Sequence, residues 1–157
     1  MPVEVLGVDH IFITVRDLTA SEEYYDKVMR ILGFRKNRAY IADEPHVHYY
    51  NRHFAYWLRP AHDPAREHSP YAAGLHHFCF RVSDQAEVDR AVSELDAVGI
   101  STSAPRLYPE YGKDYYATFF VDPDGMRLEI RNFGEWWRRS LVAWREETRS
   151  DPPPPSD

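Results

Sequence analysis

Two stretches of this 157-residue chain, 67 residues apart, repeat each other. His10-Ile-Phe-Ile-Thr-Val-Arg-Asp17 and His77-Phe-Cys-Phe-Arg-Val-Ser-Asp84 share His, Val and Asp in register. Each precedes an amphipathic helix pattern that ends in glycine, at Gly33 and Gly99. Self-similarity at a fixed offset indicates duplicated supersecondary units, so the repeat constrains the fold before any single residue is interpreted. A duplicated histidine also points to a paired site and makes His10 and His77 the first residues to question.

Val8 to Val15 and Leu75 to Val82 are apolar, β-branched or aromatic runs of strand length, each closed by a polar turn containing Asp. Leu18 to Leu32 places Tyr24, Tyr25, Val28, Ile31 and Leu32 at helical spacing, with Gly33 where a C-terminal cap belongs. Val88, Ala91, Val92, Leu95 and Val98 repeat that pattern before Gly99. Extended segments follow each helix: His46 to Tyr50 and His53 to Arg59, then Tyr115 to Val121 and Met126 to Arg131, the last two joined by the hairpin turn Asp122-Pro-Asp-Gly125. The reading is α+β, with strand, helix and about three strands in each half. It predicts one module over 5–60, a linker over 61–74, a second module over 75–133 and a C-terminal helix over 134–149. That helix carries a stripe of Trp136, Trp137, Leu141, Val142 and Trp144, and the proline-rich 150–157 is expected to be a disordered tail.

Charge and cysteine content narrow the chemistry. A net charge of −6 with no basic run argues against nucleic acid as a partner. The longest early apolar stretch, Ile11 to Val15, is too short for a membrane span or a signal-peptide core, so a cytoplasmic location and no membrane partner are expected. The single Cys79 excludes an internal disulfide and a thiolate zinc cluster. Any metal would be held by nitrogen and oxygen.

Alternation along the strands shows which side chains can meet. Ile11, Ile13 and Val15 point to the helix side of the first strand, and Val8, His10, Phe12 and Thr14 to the other. In the second copy Phe78, Phe80 and Val82 face the helix, while Leu75, His77, Cys79 and Arg81 oppose it. In the last strand Met126, Leu128 and Ile130 form the buried row, which leaves Arg127, Glu129 and Arg131 opposite. If the halves curl their sheets toward each other, His10, His77 and Glu129 converge. Two imidazoles and one carboxylate on stiff strands form a facial triad with open positions for substrate or water. The alternative is that these are strand residues on partly exposed faces, with Glu129 paired to Arg127 or Arg131.

With these residues in view, the chain resembles the vicinal oxygen chelate superfamily, which includes glyoxalase I, methylmalonyl-CoA epimerase, extradiol dioxygenases, fosfomycin-resistance thiol transferases and bleomycin-resistance binding proteins. The resemblance spans roughly Val5 to Phe133. It rests on Val8-Asp-His-Ile-Phe-Ile-Thr-Val15, Gly74-Leu-His-His-Phe-Cys-Phe-Arg-Val82 and Phe119-Phe-Val-Asp-Pro-Asp-Gly-Met-Arg-Leu-Glu-Ile130. It implies two tandem βαβββ modules forming a cupped, mostly antiparallel mixed sheet with helices outside. It also implies a divalent metal, Fe, Zn, Mn, Ni or Co, held inside the cup by His10, His77 and Glu129. A homodimer is the family's habit, and the linker lets the modules pair within a chain or be exchanged between two.

The same resemblance places Trp57 where the second module has Glu129, so the fourth ligand of glyoxalase I-like members is absent. His-His-Glu alone is similar to the pattern of extradiol dioxygenases and fosfomycin-resistance transferases. Those place a tyrosine ten residues before the glutamate, where this chain has Phe119. Tyr115 or Tyr111 would have to substitute, and the sequence displays no obvious basic cluster for a phosphonate. The metal would act as a Lewis acid on a small-molecule substrate with two neighbouring oxygens. His48 and His53 are the candidate general bases, with Tyr115 as a candidate acid. Phe12, Trp57, Cys79 and Phe119 are expected to line the ligand cavity, suited to a planar or partly apolar ligand. Arg81, also on the cavity, would meet an anionic group or a surface carboxylate. The opposing expectation is a bleomycin-resistance-like module that sequesters an aromatic antibiotic or metabolite without catalysis.

Overall fold

The computed structural model describes residue 3 and residues 5–150, apart from the side chains of 136 and 144–150. The first half runs β1 (His10–Val15), α1 (Leu18–Ile31), β2 (Arg35–Ile41), β3 (Glu44–Tyr50) and β4 (Ala55–Pro60). The second repeats it as β5 (His77–Val82), α2 (Gln85–Ala97), β6 (Arg106–Leu107), β7 (Tyr116–Val121) and β8 (Arg127–Asn132), followed by α3 (Glu135–Ser150). The strands form two four-stranded sheets, β1-β4-β3-β2 and β5-β8-β7-β6. β1 with β4 and β5 with β8 are the parallel pairs, and the other neighbours are antiparallel. This is the expected fold class: mixed sheets, helices outside and a C-terminal helix.

The repeated Asp is a helix start. Asp17 accepts the Ala20 amide at 3.0 Å, and Asp84 accepts the Glu87 amide at 3.0 Å, each satisfying a donor that the first turn leaves unpaired. The glycines end those helices in the left-handed region, Gly33 at φ 77° and Gly99 at φ 79°, where a Cβ would be strained. Strand ends shift by one to two residues from the sequence reading, because ladder bonds stop where the partner strand stops. The predicted tail lies outside the described residues beyond Ser150. Of the C-terminal stripe, Trp137, Leu141 and Val142 are exposed, and Trp136 and Trp144 lie outside the described side chains.

The helix-facing rows of the two halves pack into one core. Ile13, Val15, Tyr25, Val28, Tyr56 and Leu58 share a cluster with Phe80, Val88, Leu95, Leu128 and Ile130. Tyr56 meets Phe78 at 5.6 Å, and Phe54 meets it at 5.7 Å between ring centroids. A polar latch crosses the same junction. The Tyr25 hydroxyl donates to Asp122 Oδ2 at 2.8 Å and lies 3.1 Å from the Tyr56 hydroxyl. The Tyr24 hydroxyl donates to the Val121 carbonyl at 2.7 Å, and the Arg16 amide and Nε donate to Asp124. Burial raises the Asp122 carboxyl above its ordinary range, against the bonds from Tyr25, Met126 and Asp124 that lower it. With the helix sides consumed, the opposite face of each sheet is left open, and those faces carry the candidate residues.

Candidate functional site

On the second open face Glu129 is 1% exposed, set directly across the ladder from Cys79 and Phe119. The Tyr115 hydroxyl donates to Glu129 Oε1 at 2.5 Å, and His77 Nε2 stands 3.2 Å from Oε2. An imidazole nitrogen and a carboxylate oxygen at that separation need a proton or a cation between them. Two neighbouring ligands on metal bonds of about 2.1 Å would themselves lie roughly 3 Å apart, so the pair fits an ion. His77 Nδ1 is 2.8 Å from His76 Nδ1, and when His77 is the donor of that pair its Nε2 presents a lone pair. Burial, and after it Glu129, pushes the Cys79 thiol up, while Arg131 and Arg81 act the other way. Burial and the bond to Glu129 likewise push the Tyr115 phenol up, so it stays a proton donor.

On the first open face His10 Nδ1 meets Asp9 Oδ2 at 2.7 Å, which leaves Nε2 outward. A carboxylate behind a histidine is the usual support of a metal-ligating imidazole. Phe12, Trp57 and His48 stand in one row across β1, β4 and β3. Trp57 stacks on His48 at 3.9 Å and on Phe12 at 5.3 Å, and the buried His46 meets both Phe12 and Trp57 edge-on. Burial lowers the His48 imidazole. His53 is exposed, and its backbone amide donates to Asn51 Oδ1. His10, His48, His53 and Trp57 line one cavity of about 620 Å³.

The structure therefore brings His77, Cys79, Tyr115, Phe119 and Glu129 together, and separately His10, Phe12, His48, His53 and Trp57. Among the described residues of one chain, no three His, Cys, Asp or Glu side chains gather closely enough to hold an ion. Phe119 packs edge-on against Tyr108 at 5.3 Å, and Arg81 lies 4.7 Å over the Phe133 ring. Two features escaped the sequence reading. Asp9 was signalled by its adjacency to His10, and His46 by sharing parity with His48. The arginines around Glu129 were placed on its face by strand alternation.

Comparisons with known proteins agree with this architecture. The sequence profile of the Glyoxalase/Bleomycin resistance protein/Dioxygenase superfamily matches residues 7–130. The chain is 45% identical over 67 residues to the uncharacterized protein YwkD of Bacillus subtilis, and 39% identical over 67 residues to the uncharacterized protein YaeR of Escherichia coli. Each match covers 43% of this chain, which spans about half the length of those curated relatives, 48% in each case. Among solved structures, a glyoxylase/bleomycin resistance protein/dioxygenase domain from Frankia sp. EAN1pec superposes with a TM-score of 0.68 at 21% identity, covering 82% of this chain and 98% of that one. Lactoylglutathione lyase from Agrobacterium tumefaciens gives 0.59 at 22% identity, covering 87% and 98%. The fosfomycin resistance protein FosX from Listeria monocytogenes gives 0.61 at 17% identity, covering 86% and 99%. Likeness at these identities is a likeness of fold.

Proposed function

Because the chain belongs to the glyoxalase/bleomycin resistance protein/dioxygenase superfamily, we propose that it is a metal-dependent enzyme. In this reading the site is completed between two copies: His77 and Glu129 of one chain and His10 of the other hold a divalent ion, Fe, Zn, Mn, Ni or Co. The observation that carries the reading is the buried Glu129 carboxylate facing His77 Nε2 at 3.2 Å. When bound, the ion supplies Lewis-acid chemistry to a small substrate offering two neighbouring oxygens.

The chain's own residues supply the rest. Asp9 orients His10, and Tyr115 holds a proton at Glu129 Oε1, which fixes the carboxylate so that Oε2 is the free ligand atom. His48, on the aromatic row and lining the same cavity as His10, is the candidate base, with its imidazole biased toward the neutral form. Assembly from two copies is supported by the placement of β1 and β5 at sheet edges, each, among the described residues, with one backbone edge unpaired and its histidine on the open face. A symmetric pair of chains would bring the β1 edge of one to the β5 edge of the other twice over, giving two equal sites. A second reading, sequestration of an aromatic ligand without turnover, draws on the Phe12, Trp57 and His48 row. Tight ligand binding by metal-free protein with no product would favour it.

The test is complementation in trans. His10→Ala and Glu129→Ala proteins are each expected to lose bound metal. Mixed, exchanged and reconstituted, they should recover roughly a quarter of the wild-type metal, because half of the dimers are mixed and each holds one intact site. Zero recovery with proven subunit exchange would overturn the two-copy site. Full metal retention by either single variant would overturn the triad.

A further inference from the structure

The open face of β5 and β8 holds three guanidiniums and one carboxylate. His77, Cys79 and Arg81 lie across the ladder from Arg127, Glu129 and Arg131 in that order. Glu129 has its oxygens against Tyr115 and His77, so none of the arginines bonds it directly. Among the described residues no carboxylate pairs with Arg81, Arg127 or Arg131. Asp114, which with Arg131 approaches Gly134, gives its carboxylate to the Glu135 amide at the start of α3.

Arg81 and Arg131 are direct cross-strand partners, and like charges in that relation raise the energy of the sheet. The first half shows how the fold avoids this cost. There the equivalent pair is Thr14 and Arg59, and Arg59 Nη2 bonds Glu44 Oε2 at 2.6 Å. The second half carries two positive groups at that place, and among the described residues neither forms an ion pair with a carboxylate.

The arginines are instead held by rings. Arg131 lies 3.8 Å over Tyr115, Arg81 lies 4.7 Å over Phe133 and 5.4 Å from Trp137, and Arg127 lies 5.1 Å over Tyr71 with its Nη2 donating to the Tyr71 hydroxyl at 2.9 Å. A guanidinium held over a ring keeps the N–H donors it has not otherwise bonded, and a free pair of them can capture a carboxylate or phosphate through two parallel bonds. Arg131 spends Nε on the Asn132 carbonyl, which fixes the plane and leaves its terminal nitrogens.

We propose that Arg81 and Arg131, with Arg127 at the other end of the row, form an oxyanion subsite beside Glu129, so that the small molecule bound in this cup carries a carboxylate or phosphate group. The inference rests on the proposed site, since it assigns the substrate class for that site. The arginines set specificity; the metal ligands stay His10, His77 and Glu129.

The test is calorimetric titration of metal-free protein at low salt with inorganic phosphate and, separately, with malonate. Wild type should show saturable binding to at least one of them, and the tighter of the two names the preferred group. Arg81→Gln and Arg131→Gln should each weaken it by about tenfold, and the double variant should abolish it. Arg81→Lys should fall between, because it keeps charge and loses the fork. Metal uptake by reconstituted wild type is measured in parallel: saturable anion binding without metal uptake would sink the metal reading alone, and metal uptake without anion binding would sink this one alone. No saturable binding by wild type, or undiminished binding by a folded double variant, would overturn the subsite.

Discussion

Rings fill the face built by β1, β4 and β3: Phe12, Trp57 and His48 in one row, with His10 and His46 beside them. At the corresponding places on β5, β8 and β7 stand Cys79, Glu129 and Phe119, flanked by Arg81, Arg127 and Arg131. The strand order and cap residues are the same in both halves, and the chemistry of the two faces is not. A repeated topology preserves what the core requires, the helix-facing apolar row and the Asp and Gly that bound each helix. It leaves the open face free to diverge. One face supplies a flat apolar wall and a supported imidazole, the other a buried carboxylate in a cationic surround.

The largest difference between the faces should appear in stability. Glu129 is woven into its surroundings, so Glu129→Ala in metal-free protein should cost about 2–3 kcal/mol, because the Tyr115 phenol loses its acceptor. His10→Ala should stay within about 0.5 kcal/mol, since His10 is exposed and its partner Asp9 is on the surface. Urea unfolding of both variants measures the contrast, and equal costs would break it. Next in size, Trp57→Ala should cost about 2 kcal/mol through its stacks on Phe12 and His48. A near-zero cost would mean that the aromatic row stabilises nothing by itself and serves ligand binding alone.

The smallest effect concerns the latch between the halves. Burial raises the Asp122 carboxyl in the folded chain. A raised folded value contributes stability below the ordinary carboxyl range, and that contribution is lost as pH rises through the folded value. Asp122→Asn removes this dependence: its one amide oxygen keeps the Asp124 and Met126 amides, and its NH2 donates to the Tyr25 hydroxyl in place of accepting from it. Its melting temperature relative to wild type should therefore rise between about pH 4 and about pH 7. A constant difference across that window would show that Asp122 does not titrate differently on folding.

The elements of the fold were legible because their signals are local. Alternation places His77 and Glu129 on one face correctly, and the glycines end the helices where spacing puts them. β2, largely exposed along Arg35–Ile41, and the two-residue β6 carried no such signal and were not placed. Alternation assigns a residue to a face but says nothing about how two sheets are disposed, which is why His10 reads as a neighbour of His77 and lies on a separate face in the single chain. Tyr115 was visible as a candidate through parity with position 119, and its bond to Glu129 depends on the reach of the phenol. The arginines around Glu129 looked like ordinary surface charge, because sequence does not reveal whether a counter-charge stands nearby.

The Tyr25, Tyr56 and Asp122 contact has a further consequence for how the chain can be divided. Cut in the linker, the first half would hold two tyrosine hydroxyls in an apolar setting with no carboxylate, and Phe54 and Tyr56 without Phe78 and Phe80 over them. The second would expose a carboxylate set in a cavity shaped for a phenol. Each half repeats the other in outline, yet each now carries surface that only its neighbour can cover. The doubling recorded in the sequence has become a dependence, and neither copy is a spare.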